Sequence, residues 1–175
     1  MLKKTCAGLA VWAGLVSAVG AADQGFWQHQ IETQVNIEAP AERIWTLLMD
    51  FERYPKWNPF IRHIEGRPEV GEKLRVEVQP TGGRAMSFEP QVLLVQTAHE
   101  FRWKGQFFVP GLFDGEHYFL LRREGDHQTM LIHGERFSGL LVPFFRSQLE
   151  SGTRSGFKAM NHALQHLASM ASDAK

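Results

Sequence analysis

The stretch from 145 to 167 is the strongest constraint on how this chain folds. At about 100° per residue, Phe145, Leu149, Thr153, Phe157, Met160, Leu164 and Leu167 fall inside one arc of about 120°. That arc persists for about six turns, while Gln148, Arg154 and Lys158 lie outside it. A one-sided helix of this length needs a broad apolar surface to cover, and the preceding sequence has to build it.

The preceding sequence reads as strands. Residues 31–38 (IETQVNIE) alternate apolar or small with polar side chains, the pattern of a half-buried strand. Pro40 then suits the first turn of a helix, with Glu42 near its positive end. Ala41, Ile44, Trp45 and Leu48 recur at helical spacing, so one face packs inward. FERYPKWNP, residues 51–59, holds Pro55 and Pro59 and predicts a short helical turn and a bend. From residue 60 the period is two. Segments 60–65, 73–78, 86–95, 100–105, 115–122 and 128–137 read as strands, separated by turn chemistry at Gly71, Gly82-Gly83, Pro110-Gly111 and Gly125-Asp126.

The layer solution is α+β: a curved seven-stranded antiparallel sheet wrapped around a long C-terminal helix, with two short helices after the first strand. A sheet twists and coils, so it cannot lie flat on a cylinder. The gap between its concave face and the helix is filled by large side chains or by a ligand.

Composition narrows the function classes. The 175 residues carry 19 Lys+Arg, 19 Asp+Glu, eight His and one Cys. Balanced charge argues against a basic nucleic-acid footprint. A single cysteine excludes an internal disulfide and Cys-rich zinc sites. Lys3 and Lys4, the apolar run 7–19 and the small residues Gly20, Ala21 and Ala22 have the order of a secretory signal. The run is shorter than the roughly 20 residues that span a bilayer, although retention as an anchor stays the alternative. The expectation is a signal peptide over 1–22, a domain over 23–175 and a protein in the periplasm or secreted. Cys6 leaves with the signal.

The sequence IEAPAERIW (37–45) followed by DFERYPKWNP (50–59) resembles the opening of START-like proteins, the SRPBCC superfamily often labelled polyketide cyclase/dehydrase and lipid transport. FRWKG (101–105), GEH (115–117) and FSGLL (137–141) extend the likeness over about 31–167. The resemblance implies a helix-grip fold, with an internal cavity for a hydrophobic small molecule or lipid. It does not assign a reaction, because one fold hosts many functions.

Strand alternation puts His117, Phe119 and Leu121 on one face, and Thr129, Leu131, His133, Glu135 and Phe137 on another. Both faces are assigned to the concave side, joined by Phe101 and Trp103. The candidate ligand-binding set is Trp103, His117, Phe119, Leu121, Leu131, His133, Glu135, Phe137, Phe157 and Met160. Its polar members would orient a ligand head and its apolar members would cover a tail. His117, His133 and Glu135 are also acid–base candidates. The plainer reading is a hydrogen-bonded network that satisfies buried polar groups. Two His and one Glu could hold zinc, but no HExxH helix accompanies them, so no metal and no cofactor is expected. His162 and His166 have metal-ligand spacing but face away from the apolar arc.

Gly152 and Gly156 sit at the edge of that arc, either to give room or to allow a bend. The apolar segments 107–113 and 139–145 either fold over the core or form a portal with transient membrane contact. Ser87, Ser138 and Ser147 lack a nucleophile-elbow context, and no phosphate or dinucleotide loop is present. Three functions remain: an exported carrier of a hydrophobic small molecule or lipid, an aromatase/cyclase-like enzyme using the His and Glu groups, and an interaction module working through its apolar loops.

Overall fold

Alternating segments become two antiparallel sheets in the structure, a computed structural model that describes residues 25–106 and 109–170. The signal peptide expected over 1–22 lies outside these residues. Strand β1 (Gln28–Ile37) leads into α1 (Ala41–Met49), a single 3-10 turn (Phe51–Arg53) and α2 (Tyr54–Trp57). Ala41, Ile44, Trp45 and Leu48 are the buried face of α1. Strands β2 (Ile61–Glu65), β3 (Arg75–Val78) and β4 (Met86–Phe88) form a small sheet in the order β2-β3-β4. Strands β5 (Gln91–Gln96), β6 (Glu100–Gln106), β7 (Asp114–Gly125) and β8 (Gln128–Ser138) form a meander that β1 completes, in the order β1-β8-β7-β6-β5.

Eight strands therefore replace the expected seven, because segment 86–95 divides at Glu89-Pro90. Proline has no N–H to donate to a ladder. The chain turns there, and the two sheets stay connected by the Lys73–Gln91 bridge and by the Leu74 amide donating to the Pro90 carbonyl at 2.8 Å.

The C-terminal rod is one helical run of three parts: α3 (Val142–Gln148), a π-helical turn (Leu149–Thr153) and α4 (Arg154–Ser169). A π turn widens the helix, so positions before and after it do not share one face. Phe157, Met160 and Leu164 are fully buried against the sheet, whereas Phe145 is 44% exposed. The uniform arc expected from 145 to 167 thus holds only from α4 onward.

Of the two explanations for the helix glycines, room is the one that applies at Gly156. Gly152 lies within the π turn, where a Cβ would meet only Pro80 Cβ at 3.4 Å. Gly156 gives room: a Cβ there would stand 2.1 Å from a carbon of the Phe60 ring. Gly156→Ala is expected to destabilise the protein by about 1–3 kcal/mol through overpacking, despite the better helix propensity of alanine. Phe60→Leu in the same chain should recover part of that loss. Denaturant titration of the single and double variants checks this, and an unchanged midpoint for Gly156→Ala would refute the steric account.

Candidate functional site

The concave face carries the residues that the alternation placed there. Thr129, Leu131, His133 and Phe137 of β8, and His117, Phe119 and Leu121 of β7, are buried. Depth along the groove separates them into two groups. At the α4 end, Phe119, Leu121, Leu131, His133, Phe157 and Met160 are fully or nearly fully buried in the core. At the π-turn end the small sheet crosses in front of the large one and leaves a cavity of about 620 Å³.

Trp103, His117, Glu135 and Phe137 form the large-sheet wall of that cavity, beside Gly105 and Gly115. Phe60, Val76, Val78, Met86 and Phe88 supply the opposite wall from the small sheet and its approach. Leu149, Gly152 and Thr153 of the π turn close it above, and Phe113, Leu141 and Phe145 rim it. Thus four of the ten candidate ligand residues meet the cavity and six build the core behind it.

Gly105 and Gly115 explain why there is space. Each occupies the inward phase of its strand, where neighbouring positions hold Trp103 and His117. A Cβ at Gly105 would meet only Pro90 Cβ, at 3.8 Å. One at Gly115 would stand 2.5 Å from Glu135 Oε1, so glycine there lets the carboxyl group lie down against β7.

Polar side chains run from the cavity into the core. Glu135 Oε2 is 3.5 Å from His117 Nδ1. His117 Nε2 is 3.0 Å from His133 Nε2, and His133 Nδ1 is 2.8 Å from Asn161 Oδ1. Asn161 Nδ2 donates to Thr33 Oγ1 at 2.9 Å, and that hydroxyl donates to the His133 carbonyl at 3.1 Å. Aromatic rings enclose the imidazoles. Trp103 stacks on His117 at 4.5 Å, and Phe157 stacks on His133 at 3.9 Å.

Burial sets the charge states. It pushes the His117 pKa down to about 3. His133 is held well below the usual histidine range by burial and then by neighbouring His117, against the opposing Asn161 hydrogen bond. Glu135 is raised to about 8 by burial. One fifth of its side chain remains exposed, at the wall of the cavity. Burial thus favours the neutral form of all three groups near pH 7.

Stability follows from these shifts by linkage. A carboxyl whose folded pKa is raised contributes stability below its unfolded pKa and loses it as pH rises through about 8. The depressed histidines contribute above pH 6.5 and lose that contribution as pH falls. Thermal stability is expected to peak near pH 6.5 and decline toward pH 8. Glu135→Gln should flatten the alkaline decline in a pH series of melting curves. The same decline in that variant would show that Glu135 is not its source.

The alternation did not single out Thr33, Asn161, Gly105 or Gly115. Thr33 stands in the apolar phase of β1, and Asn161 follows Met160 on the buried face of α4, so a polar residue in an apolar phase was the available signal. Among the described residues no group of three His, Cys, Asp or Glu is placed to hold a metal ion, and His162 and His166 are exposed.

Comparison with known proteins agrees with this architecture. No curated protein matches the chain. The structure is similar to the Zhui aromatase/cyclase from Streptomyces sp. R1128, with 19% identity and a TM-score of 0.67, over 81% of this chain and 94% of that one. It is also similar to a START superfamily protein from Mycobacterium smegmatis, with 22% identity and a TM-score of 0.60, over 81% and 98%. Norcoclaurine synthase from Thalictrum flavum gives 18% identity and a TM-score of 0.64, over 83% and 96%. At these identities the likeness shows the fold, a helix-grip arrangement of curved sheet and C-terminal helix. The sequence profile of the polyketide cyclase / dehydrase and lipid transport family matches residues 28–169, and the chain belongs to that family.

Proposed function

We propose that this protein binds a hydrophobic small molecule or lipid in the cavity between the two sheets and the π turn. The observation that carries this reading is a cavity of about 620 Å³ whose walls are apolar except near Glu135, His117 and the rim. That size and lining match a small-molecule site, where a few polar groups orient an apolar body. Burial of ligand surface at about 25 cal/mol per Å² supplies the driving force. Native mass spectrometry of gently purified protein is expected to show a bound apolar mass, and a panel of fluorescent lipids should displace it. A protein that carries no such mass and binds no member of the panel would overturn the proposal.

A second reading is acid–base chemistry in the same cavity, of the cyclase or dehydrase kind. It is favoured by a carboxyl with a pKa of about 8 beside an imidazole, because a proton donor near neutral pH is what general acid catalysis needs. Glu135→Gln would then abolish turnover while ligand binding survives. Loss of both together returns Glu135 to a binding role.

Export to the periplasm or beyond belongs to the same proposal and rests on the charged, apolar and small-residue order of 1–22. So does transient membrane contact at the rim. Val109, Leu140, Phe144 and Phe145 are exposed there, and 109–113 and 139–146 contain no acidic residue. Rim contacts tie the two loops together, with Leu140 and Leu141 donating to the Gly111 and Leu112 carbonyls. Co-sedimentation with vesicles should fall when Phe144 and Leu140 become serine; unchanged co-sedimentation removes the membrane contact.

A further inference from the structure

Donor and acceptor roles along the polar chain are fixed from its buried end. The His133 carbonyl can only accept, so the Thr33 hydroxyl spends its single hydrogen there. Thr33 Oγ1 must then accept from Asn161, whose only donor is Nδ2. This orients the amide with Oδ1 toward His133, and Oδ1 accepts from a protonated His133 Nδ1. A neutral His133 consequently presents a lone pair at Nε2. His117 Nε2, 3.0 Å away, has to supply the hydrogen between the rings. A neutral His117 is then bare at Nδ1, which faces the Glu135 carboxyl. A carboxylate at that place would set lone pair against lone pair. The proton therefore belongs to the Glu135 oxygen; moving it to Nδ1 would create an ion pair stacked on Trp103 and costly to desolvate.

We propose that Asn161 and Thr33 are positioning residues that fix the tautomers of His133 and His117, so that Glu135 spends its one O–H on His117 Nδ1 and offers its carbonyl-type oxygen to the cavity, where it selects a neutral ligand with a hydroxyl-type donor. Selection against carboxylate ligands follows, since an anion there meets an acceptor oxygen and no cation among its immediate partners. Around Glu135 the facing groups are His117 on β7, with His133 behind it; the other charged residue lining the cavity is Arg84, exposed in the β3–β4 loop. The tautomer assignment stands on the hydrogen-bond chain together with the burial that keeps both imidazoles neutral, and the ligand class rests on the binding reading above.

Long-range proton–nitrogen NMR of the ¹⁵N-labelled full chain near pH 6.5 tests the wiring, with His117→Gln and His133→Gln assigning the rings. The expected spectrum has His133 protonated on Nδ1 and His117 on Nε2. Asn161→Leu should convert His117 to a mixture of tautomers and lower the Glu135 titration midpoint by at least one pH unit. His117 protonated on Nδ1 in the unaltered protein, or an unchanged His117 tautomer in folded Asn161→Leu, overturns the proposal. The ligand class is tested separately with 2-naphthol and 2-methoxynaphthalene. The alcohol should bind at least tenfold tighter, and Glu135→Leu should shrink that preference below threefold. Equal affinities overturn the acceptor role of Glu135. Binding of neither probe, with the expected ring spectra, overturns the cavity reading and the ligand class while supporting the wiring.

Discussion

Phe157→Ala is expected to lower the unfolding free energy by about 3–5 kcal/mol, the range for removing a buried aromatic ring. Phe157 is fully buried on α4 and joins three parts of the fold. Its ring stacks on His133 of β8 at 3.9 Å, meets Phe60 edge-on at 5.5 Å and meets His117 of β7 at 5.2 Å. Neighbouring helix and sheet positions cannot collapse into the space, because the sheet is held by its ladders on both sides of His133. The ring also keeps water from the imidazole. Its loss should therefore raise the His133 pKa toward the ordinary histidine value, in addition to the cost in stability. Urea titration measures the first effect and histidine NMR the second. A loss below about 1 kcal/mol would show that the helix does not grip the sheet through this residue.

Gly105→Trp is the corresponding test of binding. Gly105 follows Phe101 and Trp103 in the inward phase of β6 and lines the cavity. The space above it is free of backbone, with Pro90 Cβ the nearest neighbour at 3.8 Å. An indole there grows into the cavity and covers apolar wall that a ligand would otherwise cover. Affinity for a hydrophobic probe should fall at least tenfold, equivalent to about 1.4 kcal/mol, while the melting temperature stays within a few degrees. Retained affinity in a folded Gly105→Trp protein would place the ligand somewhere else. Taken with Phe157→Ala, this variant separates the two ends of the groove: one end carries stability and the other carries the cavity.

That separation marks where reading the sequence succeeded and where it stopped. Period-two alternation placed His117, Phe119, Leu131, His133 and Glu135 on the concave face, because successive strand side chains must point to opposite sides. It could not say how deep along the groove each one sits. Depth is set by the β2-β3-β4 sheet standing across the cavity from Trp103 and Glu135, a juxtaposition of segments far apart in the chain. The break at Pro90 was visible as a residue without an N–H, yet its consequence, a second sheet, depended on where both halves found partners. Helical periodicity found the α4 face, including Phe157, Met160 and Leu164, but assumed a constant turn. The π turn at Leu149–Thr153 changed that turn, and with it the exposure of Phe145.

The amino-acid sequence by itself determined the local elements, the buried faces of α1 and α4, and the family, since these follow from periodicity, turn chemistry and short-range motifs. Tertiary structure alone decided that Glu135 meets a cavity while His133 meets a closed core, and that Asn161 reaches Thr33 across 128 positions of chain. The physical reason is that the charge state of a buried polar group depends on which partners and how much solvent surround it, and both are supplied by segments distant in sequence.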